Sequence, residues 1–189
     1  RDVKIKGYVE TIECDPFVKR EKAQISIICP RPYFEALATL YAELAAVLAL
    51  FEFPFAIEED NPIPFSEATD YPIAEIMNEG DAEAGCIISI EVNDTIQGIK
   101  IINTSTQQFF YLDSAFVDHD KITISTISGQ MGVTRERGGT KTNILNYVGA
   151  NSAWLRLAPG VNYFTYTIDD GDTEDVEITF EATTLYGGV

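Results

Sequence analysis

Apolar and polar residues alternate along most of this chain with the two-residue period of a β-strand. Val3, Ile5 and Gly7 alternate with Lys4 and Lys6; Ile25, Ile27 and Cys29 are spaced in the same way around Ser26 and Ile28. Two such runs joined by the polar stretch FVKREK read as a β-hairpin. Pro30 and Pro32 end its second strand, because proline supplies no backbone donor. A lone hairpin is marginal in water, so this one is expected to pack on something else. From Ile73 onward the pattern is again that of strands: 86–92, 96–103, 108–112, 121–127, 131–135, 161–168 and 175–182. Turn signals separate them, among them Asn93-Asp94, Asp118-His119-Asp120, Gly138-Gly139, Pro159-Gly160 and Asp170-Gly171-Asp172. Strands this short and this regularly spaced predict an all-β domain, a β-sandwich or jelly-roll. One short helix or turn is expected at 142–149, closed by Gly149.

Residues 33–51 carry a different period. Leu37, Leu40, Tyr41, Leu44, Val47, Leu48 and Phe51 recur at helical spacing, with alanines between them and no Gly or Pro inside. The stretch reads as a helix, although Thr39, Tyr41 and Glu43 also alternate with Leu40, Ala42 and Leu44 as a strand would. Its apolar stripe is expected to face a core or brace two domains. Pro54, Pro62, Pro64 and Pro72 then make the following segment an extended linker, anchored by Phe51, Phe53, Phe55 and Phe65.

The chain has 189 residues, 46% of them hydrophobic, which is a globular composition. It opens at Arg1 directly in strand-like sequence, which reads as a piece of a longer protein. No apolar run is long enough for a membrane-spanning helix. Thirteen Lys and Arg stand against 30 Asp and Glu, a net charge of -17. Such a surface repels phosphate backbones and anionic lipid, so neither nucleic acid nor membrane is an expected partner. Cys14, Cys29 and Cys86 are odd in number and form no CxxC pair; they are expected to be reduced, buried thiols.

Candidate chemistry is sparse. The single histidine, His119, lies in the turn-like DHDK and is expected to be solvated. Asp118, Asp120, Asp169, Asp170 and Asp172 fall in turns without calcium-loop spacing, and read as solvated carboxylates. GDAEAG (80–85) and GGTKTN (138–143) share glycines with phosphate-binding loops but lack their pattern. Trp154, beside Leu155 and Leu157, reads as a core anchor rather than a sugar platform. No catalytic, metal or cofactor-binding residue is assigned, and no cofactor is expected.

The order of motifs resembles the siphophage distal tail protein family. GYVETIECD, ISIICPRPYF and FEFPF lead; NEGDAEAGCIISIE follows with an N-x-GD-x-x-x-G strand opening. Then come IKIINTSTQQFFYLD, ITISTISGQMGVT, TNILNYVGANSAWLRLAPGVNYFTYT and a closing YGGV. The string from Ser152 through Trp154, Leu157, Gly160 and Asn162 to Phe164 is the most specific; Asn162 is expected to bond backbone within the Pro159-Gly160 turn. The resemblance implies a non-enzymatic structural protein of the virion tail tip, assembled in the bacterial cytoplasm. It implies a galectin-like β-sandwich of jelly-roll type at 70–189, the last hairpin of an N-terminal ring-forming domain at 1–32, and a helical or extended connector at 33–69. Implied partners are other copies in a ring when full-length, the tail tube protein, and tail tip, fibre or receptor-binding proteins. The alternative is a carbohydrate-binding module for host-surface adhesion. A chain holding only the last hairpin of a ring-forming domain is expected to be monomeric or weakly associated in dilute solution.

Overall fold

A computed structural model describes residues 2–14, 23–44 and 72–188. Fourteen strands among them form a large sheet, a small sheet and a separate hairpin. The large sheet runs β1 (Val3–Lys4), β4 (Phe34–Leu44), β14 (Val176–Tyr186), β6 (Ala84–Val92), β9 (Lys121–Ser125), β10 (Gly132–Arg137) and β11 (Thr140–Asn143), and β12 (Arg156–Leu157) pairs with β6. The small sheet runs β5 (Ala74–Asn78), β13 (Gly160–Asp170), β7 (Ile96–Asn103) and β8 (Gln108–Phe116). The two sheets face each other as a sandwich. The hairpin pairs β2 (Tyr8–Cys14) with β3 (Ala23–Ile28).

The period-2 pattern explains the layers. In β14, residues Val176, Ile178, Phe180 and Ala182 are buried and Glu177 and Glu181 are exposed. In β13, Asn162, Phe164 and Tyr166 are buried between exposed or half-buried neighbours. These inner faces meet in one core that also holds Ile88, Ile90, Ile99, Ile101, Phe110 and Ile124; the rings of Phe164 and Phe180 lie 4.8 Å apart across it. The strands expected from residue 84 onward are present, with β8, β13 and β14 longer than their apolar runs. The short helix expected at 142–149 is a 3-10 turn at Leu145–Tyr147. Gly138 and Gly139 both adopt positive φ, as a two-residue type I′ turn between β10 and β11 requires.

Residues 34–44 overturn one expectation. They are not a helix but the strand β4, paired with β14 from Ile178–Leu44 to Tyr186–Phe34. Leucine and alanine suit a helix locally, but an eleven-residue edge bonded to β14 satisfies the backbone and buries Leu44 as well. Residues 34–44 are thus part of the sandwich sheet rather than a connector beside it. Residues 45–51 of the expected helix, and the proline-rich stretch up to Tyr71, lie outside the described residues. The first alternating run also divides: Val3–Lys4 joins β4, and the hairpin begins only at Tyr8.

Candidate assembly surfaces

Three features outside the core have a geometry that suits binding or assembly. The first is the hairpin. A bulge at Glu10 shifts the register between Val9 and Thr11. That extra residue places Val9 and Ile12 on the same face despite their odd spacing, opposite Ile27 and Ile25. Cys14 and Ala23 complete this face, while Thr11, Ser26, Glu13 and Gln24 occupy the other together with the exposed pair Tyr8 and Ile28. Val9, Ile12, Ile25 and Ile27 are 54–62% exposed. Four adjacent β-branched residues open to water on one side of a two-stranded ribbon form an apolar patch of the kind that marks an interface.

The second feature is a groove between β4 and β5. Ala36, Ala38, Leu40 and Ala42 line one wall, Ile76 and Met77 the other, around about 360 Å³; Glu75 and Glu79 stand at its rim. Among the described residues, β1 pairs with β4 at Glu35 and Ala36 and Leu37 N donates to the Asp2 carbonyl, while β5 pairs only with β13. Two sheet edges therefore border the groove.

The third is a cleft of about 760 Å³ where the hairpin joins the sandwich, lined by Pro30–Tyr33, the 81–85 and 127–130 loops, Arg156, Thr183 and Leu185. Arg31 donates to the Ser128 carbonyl and Arg156 Nη2 to Ser128 Oγ at 2.7 Å, so one loop braces the connection from both sides.

The motifs singled out in sequence prove to be clamps. Asn78 Nδ2 donates to the carbonyls of Ala82 (3.1 Å) and Leu157 (3.0 Å), and its Oδ1 accepts from Gly80 N. Gly80 is pressed so closely on the Leu185 carbonyl that a Cβ there would stand 2.5 Å away. Asp81 N donates to that same carbonyl, and Gly187 N donates to Asp81 Oδ2 at 3.1 Å. The N-x-GD run thus ties the start of the sandwich to its final strand. Asn162 is fully buried and does what its turn position implied: Nδ2 donates to the Ala158 carbonyl at 2.8 Å and the Gly160 carbonyl at 3.1 Å, and Oδ1 accepts from Ala158 N at 2.9 Å. Trp154 is half-buried and packs its ring 5.2 Å from that of Phe110, against the core.

His119 is exposed beside Asp118, at a left-handed φ of 65° in a turn. Asp118, Asp169, Asp170 and Asp172 are all exposed, as expected, and Asp169 accepts a 2.5 Å bond from Tyr111. That bond, with burial and the nearby charges of Asp169 and Asp113, raises the Tyr111 phenol to about 12. Asp120 contradicts the solvated reading. Its side chain is fully buried and takes two bonds from Arg137, 2.6 and 2.5 Å, and one from Val117 N. Burial by itself would raise its pKa, but the Arg137 bond, the Val117 amide and the charges of Arg137 and Arg135 outweigh it and hold the carboxyl below its usual range. Nothing in DHDK announces this, because the partner lies 17 residues away. Of the cysteines, only Cys86 is buried, its thiol pushed up to about 11 chiefly by burial; Cys14 is exposed and Cys29 half-buried. Among the described residues no cluster of three or more metal-ligating side chains is found, and no helix is long and apolar enough to cross a membrane.

Comparison with known proteins places these features. No curated protein matches the chain. The crystal structure of SPP1 Dit, described as a paradigm of the hub adsorption apparatus in phages infecting Gram-positive hosts, superposes with a TM-score of 0.66 at 13% identity, over 97% of this chain and 60% of that one. The phage p2 baseplate in its activated conformation with Sr gives a TM-score of 0.47 at 10% identity, over 95% of this chain and 64% of that one. The chain therefore spans about 60% of the length of SPP1 Dit and shares its fold. The family model for the siphovirus-type tail component, C-terminal domain, matches residues 79–183, which is more than half of the chain: the protein belongs to that family of phage tail components.

Proposed function

We propose that the chain is the larger portion of a structural hub at the distal end of a siphophage tail, joining the tube to the tip and receptor-binding apparatus. The observation that carries this reading is the hairpin: among the described residues Val9, Ile12, Ile25 and Ile27 give it an exposed apolar face beside the sandwich, a surface suited to assembly. In this reading 1–32 is the last hairpin of a ring-forming domain, and the sandwich that follows is the family's C-terminal domain, with β4 as its first long strand. The full-length protein forms a ring with its own copies and contacts the tube and tip proteins. Gold-labelled antibody raised against the chain is expected to decorate intact phage particles at the tail end away from the capsid. Labelling of the capsid or along the whole tube, or none on accessible tips, overturns the reading. A glycan array is expected to stay silent; a reproducible specific hit favours a carbohydrate-binding role instead.

A further inference from the structure

One stretch of the sandwich runs against the acidity of the chain. Residues 121–168 hold five of the 13 basic residues and one of the 30 acidic ones, a net charge of +4, where the other residues sum to -21. Four of the five, Lys121, Arg135, Arg137 and Lys141, lie on β9, β10 and β11, at one end of the large sheet. Register arranges the charges there. Glu177, Glu91, Lys121, Glu136 and Lys141 stand side by side on β14, β6, β9, β10 and β11. From Glu91 onward the sign alternates at every strand, and opposite charges facing each other across strands stabilise a sheet. Lys121 Nζ lies 2.6 Å from Glu91 and Lys141 Nζ 3.5 Å from Glu136. The row stops at Lys141, because among the described residues β11 pairs only with β10. We propose that the free edge of β11 takes up an extended acidic segment of another protein as a further strand, with a carboxylate in register beside Lys141.

The backbone of this edge is open to pairing. Ile144 N donates to the Val133 carbonyl, which fixes the phase of the ladder. Bonds to β10 then fall at Thr142 and Thr140, and the N–H and C=O of Lys141 and Asn143 point away from β10. All four residues of β11 are exposed. Side chains supply the selection. Arg135, opposite Thr142, puts a second cation on the other face of the same edge, and among the described residues its Nε is buried without an acceptor. Leu145 and Tyr147, in the 3-10 turn that follows the strand, are 47% and 41% exposed and offer apolar contact beside the charges. Asn143 Oδ1 accepts from Leu145 N at 2.9 Å, so turn and edge are held to one another. The same charges disfavour β11 of a second copy: two such edges meeting would set Lys141 and Arg135 against their own kind, which is how lysine on a short edge strand guards against self-pairing. A basic segment is repelled and a neutral one leaves Lys141 without an opposite charge beside it, so an acidic one is selected. Strand addition takes its affinity from main-chain bonds and its specificity from side chains at alternate positions. The edge belongs to the sandwich, so the inference stands apart from the hub reading and from the hairpin.

Nuclear magnetic resonance on the isotope-labelled chain tests it. The probe is an acetylated, amidated peptide of about nine residues in which glutamate alternates with threonine. It is expected to move the amide signals of β11 and of the turn at Leu145–Tyr147 in a saturable way, with a Kd at or below about 1 mM. The same peptide with lysine for glutamate is expected to bind at least about tenfold more weakly. So is the glutamate peptide N-methylated at its glutamates, which keeps the charge and loses the main-chain donors. Raising sodium chloride from about 0.05 to about 0.5 M is expected to narrow the gap between the glutamate and lysine peptides. Lys141→Glu is expected to reverse the preference between them. Unchanged amide signals in β6 and β14 show that the sandwich of that variant is intact; where they change, Lys141→Ala takes its place and is expected to weaken the preference. No saturable shift at β11 up to about 5 mM peptide, equal binding of the glutamate and lysine peptides, an unaltered preference in the variant, or indifference to N-methylation each overturns the proposal. Movement of the β11 signals with chain concentration alone overturns it too, because a second copy is then the occupant.

Discussion

The sandwich and the hairpin are written in the same alternating code, yet only one of them covers what it hides. In β6 the residues Cys86, Ile88 and Ile90 are fully buried against the small sheet; in β2 and β3, Ile12 and Ile25 carry the same chemistry and stand open to water. The difference is not propensity but company. The sandwich brings a second layer within reach, whereas among the described residues the hairpin strands are laddered only to each other. Period-2 patterning specifies a face and leaves open what covers it.

The comparison can be broken most sharply in the core. Phe180→Ala is expected to cost about 3–5 kcal/mol in a urea titration, because the ring is fully buried against Phe164. A loss below about 1 kcal/mol would mean the layers collapse around the gap and are not packed as described. Arg137→Ala comes next. It strands the buried Asp120 carboxylate, and about 2 kcal/mol is expected, less than a fully buried pair gives because Arg137 is 44% exposed. The pH dependence has a definite sign. A carboxyl whose folded pKa is depressed lends stability above its unfolded value, and that stability is lost as pH falls through the folded value. Stability measured against pH on the acid side of neutrality is expected to fall less steeply in Arg137→Ala than in the wild type.

Asn162→Ala is expected to cost about 1–3 kcal/mol by leaving the Ala158 amide and the turn carbonyls without their partner. The smallest effect lies on the hairpin. Ile12→Ala is expected to move the sandwich melting transition by no more than about 0.5 kcal/mol, since the side chain contributes nothing to that core. A loss comparable to that of Phe180→Ala would show that the hairpin and sandwich unfold as one unit, and the contrast between them would dissolve.

Much of the sandwich was legible in the order of residues, and its misses have physical causes. The runs 86–92 and 161–168 read as strands because Ile, Val, Tyr and Thr alternate with little competing helical pattern. The Asn162 turn was legible because an amide next to Pro-Gly has few other things to bond. In β4 the code was ambiguous, since leucine and alanine satisfy both periods; what decided was β14, more than 130 residues away. The short strand β5 was not anticipated, because AEIMN between Pro72 and Gly80 shows too few alternations to stand out. Asp120 was misread because a local window sees His119 and Lys121 and not Arg137. The hairpin itself was legible, as was its need for a partner. The bulge that sorts its faces was not, since Glu10 looks like any polar residue between Val9 and Thr11.

The pairing of β4 with β14 also fixes how the sandwich answers a mechanical load. The chain enters at Phe34 and leaves at Tyr186, and these two residues face each other at one end of the ladder. Tension drawn between Tyr33 and Gly187 therefore pulls across the strands and not along them. The bonds of an antiparallel ladder then open in succession, from Phe34–Tyr186 toward Leu44–Ile178, instead of resisting together in shear. The first links to break on that path include the Asp81 bonds to Leu185 and Gly187. A sandwich loaded in this way unzips strand from strand and is poorly placed to transmit tension.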